Sequence, residues 1–374
     1  MRLQNYGRPA TAPLSFLSSI TLAATIVSCV GRVEGQKPPY VSGASNAPSN
    51  VPAFVIKYAP LVYLHPQEPY MPSDIGAQVT NSKPKLDFAG IPNVPSPLGL
   101  DNLDALNNFG NKGLNIYLTS NDDITKNPQW IKGVKPNADG KTEGAKSCAV
   151  IVVNKGNGIV DAFYMYFYAF NYGGVVVGKN LGNHVGDWEH NMVRFQDGLP
   201  IAVWYSQHSS GQSFKYSAVQ KDWDGLRPVA YSGNGSHAVY ATAGKQTHDK
   251  VLNDHTGTGA LWDPIKSAYW YNWSPPTKSP AGPNIPATRD VANLGLLTPY
   301  DASSSPVGWF YFQGRWGDLR YKKDDPRQSN LLGLGWRYDS GPNGPAFKNL
   351  QRQNVSPDGE KGALLGSLAS RENL

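Results

Sequence analysis

The apolar positions of this chain fall in short runs separated by Gly, Pro, Asn and Ser. The strongest run is 159–170, IVDAFYMYFYAF, which is apolar on both parities. Phe163, Met165 and Phe167 share one side, and Tyr164, Tyr166 and Tyr168 share the other. Such a strand is either covered on both faces or turns one aromatic face to a cleft. The CAVIVV run from Cys148 predicts a second buried strand, and NKGNG at 154–158 is a hairpin signal between the two. Further strands are predicted over 188–196, 200–206, 227–232 and 237–242, and around 309–313. A short helix is predicted within 98–116, a polar loop over 133–146 and a long Pro-, Ser- and Asn-rich excursion over 272–308. Strands do not alternate regularly with helices, which argues against a βαβ layout. The expected fold is mainly β, an antiparallel β-sandwich with long loops and few short helices. One domain over 52–345 follows a flexible leader at 36–51 and precedes a loose tail at 346–374, with a weak helical segment near 363–370.

Composition narrows the class. Charged residues are 17% of the 374 and hydrophobic ones 40%. Roughly 25% charge is ordinary, so a charge-rich disordered chain and a coiled coil are excluded. Gly 39 and Pro 30 make turns frequent, and Trp 10 with Tyr 20 supply aromatic faces. The net charge of +6 comes with no basic block and no zinc-finger spacing, so nucleic acid is not an expected partner.

Arg2 and Arg8 precede an apolar run with small residues beyond it, 14–31, and together they read as a secretory signal. The alternative, a single membrane anchor, suits this Ser- and Thr-interrupted stretch poorly. Cleavage is expected between Ser28 and Gly35, which gives a signal peptide over 1–35. The mature chain is then secreted, or held in a secretory or vacuolar lumen, and is expected to be a monomer. Cleavage removes Cys29 and leaves Cys148, so no internal disulfide forms and Cys148 is an inert core thiol. Two glycosylation sequons begin at Asn234 and Asn272, the second on a predicted loop.

Six of the seven histidines lie between 184 and 255. In GNHVGDWEHNMVRF, a strand from Asp187 onward points Asp187 and Glu189 to one face and Trp188 and His190 to the other. His184, between Gly182 and Gly186, is placed to swing over the carboxylates. The resulting mixed O/N set suits a divalent cation: Mg²⁺, Mn²⁺, Ca²⁺ or Zn²⁺. Without a cation, the two acids raise one another's pKa. His208 ends one strand and His237 begins another, positions where sandwiches place functional groups. With Glu189, they are the candidates for acid–base chemistry. Tyr166, Trp188, Tyr205, His248, Asp254 and Arg315 are the candidates to hold a ligand. GRWGD at 314–318 reads as a tight turn whose Arg315 pairs with a carboxylate such as Asp318. Neither a Gly-rich phosphate loop nor a GxSxG elbow is present.

The segments APLVYLHPQEPYMPSDI, GNHVGDWEHNMVRF, YSQHSSGQSF, GNGSHAVYATAGKQTHD, GALWDP and FQGRWGD resemble, in order over about 55–325, the vacuolar protein sorting-associated protein 62 family. The family name implies a link to vacuolar delivery. The shorter order HxxDWE, SxHxxG and a strand opening with HA is similar to the necrosis- and ethylene-inducing peptide-like proteins. That resemblance implies a compact β-sandwich and a divalent cation held at His184, Asp187 and Glu189. It also implies that His208 and His237 line the same cavity, and that glycosylated sphingolipids are bound at membranes. Asn171 stands near the position of that family's remaining Asp, and Gly186 stands where it has a second histidine.

Three function classes follow. The first is a secreted metal-centred protein that binds a glycan or glycolipid head group, with peripheral membrane contact. The second is a metal-dependent hydrolase of a polysaccharide or glycoconjugate, with His208 or His237 as general acid or base. The third is a structural luminal protein linked to vacuolar sorting.

Overall fold

The computed structural model describes residues 45–176, 178–247, 253–276, 289–331, 335–357 and 364–368. The signal segment and the helical segment's 363 and 369–370 lie outside them.

The protein is mainly β, with several sheets, short helices and long connections. Its centre is a seven-stranded sheet in the spatial order Ser210–Lys215, Leu199–Gln207, His184–Gln196, Ile159–Asn171, Cys148–Gly156, Ala268–Ser274 and Leu296–Pro299. Five of its six strand pairs are antiparallel. The exception is Cys148–Gly156 beside Ala268–Ser274, which run parallel. The NKGNG hairpin forms as expected, with Asn157 and Gly158 at φ 52° and 75° closing it.

The two-sided apolar strand is covered on both faces. Tyr164, Tyr166 and Tyr168 pack with Val62, Ala230, Val239 and Trp262, which belong to the smaller sheet Val239–Tyr240, Val229–Ser232, Leu61–Tyr63 and Leu261–Trp262. Phe163, Met165 and Phe167 pack on the other face with the helix Ile75–Thr80, the 3₁₀ turn Leu103–Asn108 and the helix Gly308–Tyr311. The 309–313 segment is therefore largely helical rather than a strand, because its run of Trp309, Phe310 and Tyr311 buries every side chain against one layer.

Three further expectations are corrected. The leader is not loose at 45–51: Asn46 Nδ2 donates to the Ala268 carbonyl at 2.7 Å, and Val51 is buried. The tail is not loose at 345–357 either. Arg194 pairs bidentately with Asp161 at 2.7 and 2.8 Å, and its Nη1 donates to the Gln353 carbonyl at 2.7 Å. Arg352 is fully buried under this segment, stacked on Phe163 and Trp204. Beyond it, Leu365 bridges Phe214 in extended conformation, so 364–368 is not helical. Finally, Asn272 lies within the strand Ala268–Ser274 and pairs with Val152 and Thr298, not on a loop.

Cys148 is buried, and burial pushes its thiol well up, as expected for an inert core residue.

Candidate functional site

The strand His184–Gln196 starts four residues before the predicted 188–196, with His184 already in register opposite Asn171. Asp187 and Glu189 lie on the tyrosine face and Trp188 on the other, as alternation requires. Gly186 has φ +69°, and a Cβ there would sit 1.9 Å from the Trp316 carbonyl oxygen. A Cβ on Gly317 would likewise sit 1.9 Å from the Val185 carbonyl oxygen. GRWGD is thus the seat of this strand's first turn, and a histidine at 186 does not fit.

His237 is completely buried. Its Nδ1 lies 3.0 Å from Asp187 Oδ2 and its Nε2 3.0 Å from the Tyr70 carbonyl. A carbonyl only accepts, so Nε2 carries a proton, and an Nδ1 bond to the Asp187 carboxylate makes the ring an imidazolium. Glu68 Oε1 is 3.5 Å from the same Nε2, and the ring stacks on Tyr168 at 3.7 Å and 5°. Burial opposes this charge, but Glu68 and Asp187 outweigh it and raise His237 to about 9. Burial alone raises the Asp187 carboxyl, yet its bond to His237 and the two neighbouring histidines hold it below its ordinary value.

Glu68 was not singled out in the sequence. It accepts from Gly235 N at 2.7 Å and Tyr70 N at 2.8 Å, which anchors the turn before His237. The signal available was a single acid in an otherwise uncharged LVYLHPQEPY.

Glu189 takes a 2.5 Å bond from the Ser206 hydroxyl and a 3.2 Å bond from the His208 N–H. Burial raises its carboxyl to about 7; Lys348 pulls it down and Asp187 pushes it up. His208 Nε2 lies 3.1 Å from Asp254 Oδ2, and Asp254 also accepts from the Ser236 hydroxyl at 2.6 Å and from Tyr240. Burial lowers His208, but Asp254, then Glu189 and Asp187, carry it to about 9. His208 and His237 share left-handed backbone, φ 57° and 58°, which is sparsely populated by non-glycine residues and concentrated at functional sites.

The sequence-predicted residues divide. Asp187 and His237, and Glu189 with His208 and Asp254, are brought together in two linked charge clusters. His184 is half-buried, with Nδ1 on the Gly186 carbonyl at 2.7 Å, and burial lowers its pKa. Tyr166, Trp188 and Tyr205 are core residues, contrary to a ligand-holding role. The Tyr166 hydroxyl donates to Asn191, the Tyr205 hydroxyl to the Val229 carbonyl, and Trp188 stacks on Trp309 at 5.6 Å. Arg315 bridges Tyr117 and Asn343 through its backbone. Asp318 accepts from Ser120 N and the Tyr321 hydroxyl rather than from Arg315. His248 lies outside the described residues. His237 is fully buried between Asp187, Glu68 and the Tyr70 carbonyl.

Among the described residues, no three His, Cys, Asp or Glu side chains converge as cation ligands. Asp187 faces His237, and the two Glu189 oxygens accept from the Ser206 hydroxyl and the His208 backbone N–H.

A cavity of about 250 Å³ opens beside Glu189. Ser206 and His208, its two partners, line it together with His190, Trp204 and, from the tail segment, Phe347 and Lys348. The tail segment, expected to be loose, therefore lines the cavity.

Residues 139–271 match the family model described as vacuolar protein sorting-associated protein 62. The putative vacuolar protein sorting-associated protein TDA6 of Saccharomyces cerevisiae is 36% identical over 363 residues, covering 87% of this chain and 74% of that one. Vacuolar protein sorting-associated protein 62 of the same yeast is 35% identical over 340 residues, covering 82% and 68%. The chain belongs to the vacuolar protein sorting-associated protein 62 family. Among solved structures it is similar to Necrosis and Ethylene inducing Protein 2 from the causal agent of cocoa's Witches Broom disease. The TM-score is 0.27 and the identity 13%, with 55% and 72% of the chains covered. It is likewise similar to NLPPya in complex with glucosamine, with TM-score 0.28, identity 14% and coverage of 63% and 79%. Scores this low support no transfer of a site.

Proposed function

We propose that this protein binds a carbohydrate or glycolipid head group in the cavity beside Glu189. The observation that carries the reading is the make-up of that cavity. Hydroxyl, imidazole and ammonium groups stand on one concave surface beside Phe347, an aromatic ring that is 43% exposed. Ligand sites combine a few fixed polar groups with apolar surface in this way, and the face of Phe347 suits the C–H face of a sugar ring. The Glu189–Ser206 and Glu189–His208 bonds hold the wall in place before a ligand arrives, which lowers the ordering cost of binding.

A secreted or vacuolar-lumen location agrees with the signal-like leader and with relatives named for vacuolar protein sorting. Peripheral membrane contact would follow if the head group belongs to a lipid. A divalent cation remains the alternative raised by the sequence, beside which Asp187 Oδ2 and both Glu189 oxygens have hydrogen-bond partners within the protein. Elemental analysis of the dialysed protein tests it: one equivalent of a divalent ion, lost in Glu189→Ala, would reinstate the cation.

Glycan-array binding by the intact protein tests the main reading. Selective binding that is lost in Phe347→Ala with folding unchanged is expected. Binding that is unaffected by that substitution would move the site elsewhere.

A further inference from the structure

The strands Ser82–Leu86 and Ala89–Gly90 form a hairpin, which Ile116–Ser120 completes to a three-stranded sheet. Leu86 pairs with Ala89, so the turn between them has two residues, Asp87 and Phe88. Asp87 has φ 52°, the left-handed backbone that such turns demand and Asp tolerates. Phe88 answers no such demand. Its ring is 44% exposed at the tip, and Leu86 next to the turn is 37% exposed. Leu86 is in register with Ile116, so Leu114, 40% exposed, sits just before that strand at the same end of the sheet. Exposed apolar side chains scattered singly are ordinary, but a cluster of them marks a surface that meets something apolar.

A groove follows the hairpin from Leu86 to Pro92 and is bounded by Lys322. Lys322 Nζ lies 5.2 Å from the centre of the Phe88 ring, a contact that leaves its charge unneutralised. Lys83 and Lys85 project from the hairpin, and Lys323 follows Lys322. None of these lysines is in an ion pair among the described residues. The exposed acids in the same two segments are Asp87 and Asp324, so positive charge prevails.

We propose that this hairpin docks the protein on an anionic lipid bilayer. Phe88 and Leu86 enter the boundary between head groups and acyl chains, and the lysines meet lipid phosphates. A stable protein partner would need about 800 Å² from each side, far more than three side chains at a narrow tip offer. A bilayer accepts a small apolar wedge flanked by basic groups, because apolar burial and attraction to anionic lipid add. The hairpin groove and the cavity beside Glu189 share no residue, so this inference stands apart from the head-group reading and needs no glycan.

Vesicle co-sedimentation of the intact protein tests it, with equimolar phosphatidylcholine and phosphatidylserine beside pure phosphatidylcholine. Wild type should bind the mixed vesicles at least about tenfold more tightly than the neutral ones, and high salt should release it. Phe88→Ser should lose about tenfold and Lys322→Gln about fivefold, while Phe347→Ala binds like wild type. Phe88 is exposed, so its substitution is expected to leave the unfolding midpoint unchanged. No binding to the mixed vesicles, equal affinity for both kinds, or Phe88→Ser equal to wild type overturns the proposal. Loss of vesicle binding in Phe347→Ala would move the contact to the cavity and overturn it too. Self-association that Phe88→Ser abolishes, without vesicle binding, would assign the tip to a second copy of this chain instead. Glycan binding retained by Phe88→Ser would leave the head-group reading standing in every one of these cases.

Discussion

His237 Nδ1 and Asp187 Oδ2 meet at 3.0 Å across fifty positions of sequence, with Glu68 on the far side of the same ring. The pair joins the main sheet to the turn that opens the strand Val239–Tyr240 in the smaller sheet, so it ties the two together at one end. Removing one member leaves its partner's charge buried. His237→Ala is expected to destabilise by about 3–5 kcal/mol, the usual cost of breaking a buried pair from one side. Chemical denaturation measures it. A loss under about 1 kcal/mol would show that the ring is neutral and the contact incidental.

The same charges set a pH dependence. His237 and His208 have folded pKa values near 9, above the ordinary 6.5. A raised value contributes stability in full below the unfolded pKa, and that stability is lost as pH rises through the folded one. Glu189, raised from 4.5 to about 7, acts in the same direction at lower pH: its contribution fades between those values. Stability should therefore fall from pH 5 toward 9.5, with most of the histidine contribution gone by the upper end. His237→Gln should flatten the alkaline part of a melting-temperature profile. An unchanged slope would contradict the assignment of charge to His237.

Gly186 offers a sharper steric test. An added methyl meets the Trp316 carbonyl at 1.9 Å and must also adopt φ +69°. Gly186→Ala should cost well over 1 kcal/mol, more than the ordinary gain from replacing a flexible glycine. It should also displace GRWGD from beneath the strand. A neutral substitution would mean that Trp316 yields readily.

Arg194 connects fold to function. It bonds Asp161 and holds the tail through the Gln353 carbonyl. Arg194→Leu leaves the buried Asp161 with only Lys155 Nζ at 3.8 Å and should cost about 3 kcal/mol. At temperatures where the variant is still folded, ligand affinity should also fall, because Phe347 and Lys348 lose their support. Unchanged affinity would separate the tail from the site.

The β class was legible because turn residues part the strands and because the run at 159–170 is apolar on both parities. So was the Asp187/Glu189 face, since alternation fixes it. The roles of the aromatics were not legible. Trp188, Tyr166 and Tyr205 look like ligand platforms in sequence, but a sheet covered on both faces leaves them no solvent. Glu68 and Lys348 escaped notice for a different reason: they reach the clusters through contacts far apart in sequence, which no local pattern records. The 309–313 segment misled because a fully buried helical turn and a buried strand share the same continuous apolar run.

The most direct measurement is titration of the intact protein with the glycan that an array selects, wild type beside Phe347→Ala, with unfolding midpoints measured on the same samples. The account predicts saturable binding in wild type, at least a tenfold loss in the variant, and equal midpoints. Equal affinity in both proteins would contradict the placement of the head group in the cavity beside Glu189. The absence of binding to any glycan would contradict the head-group reading itself.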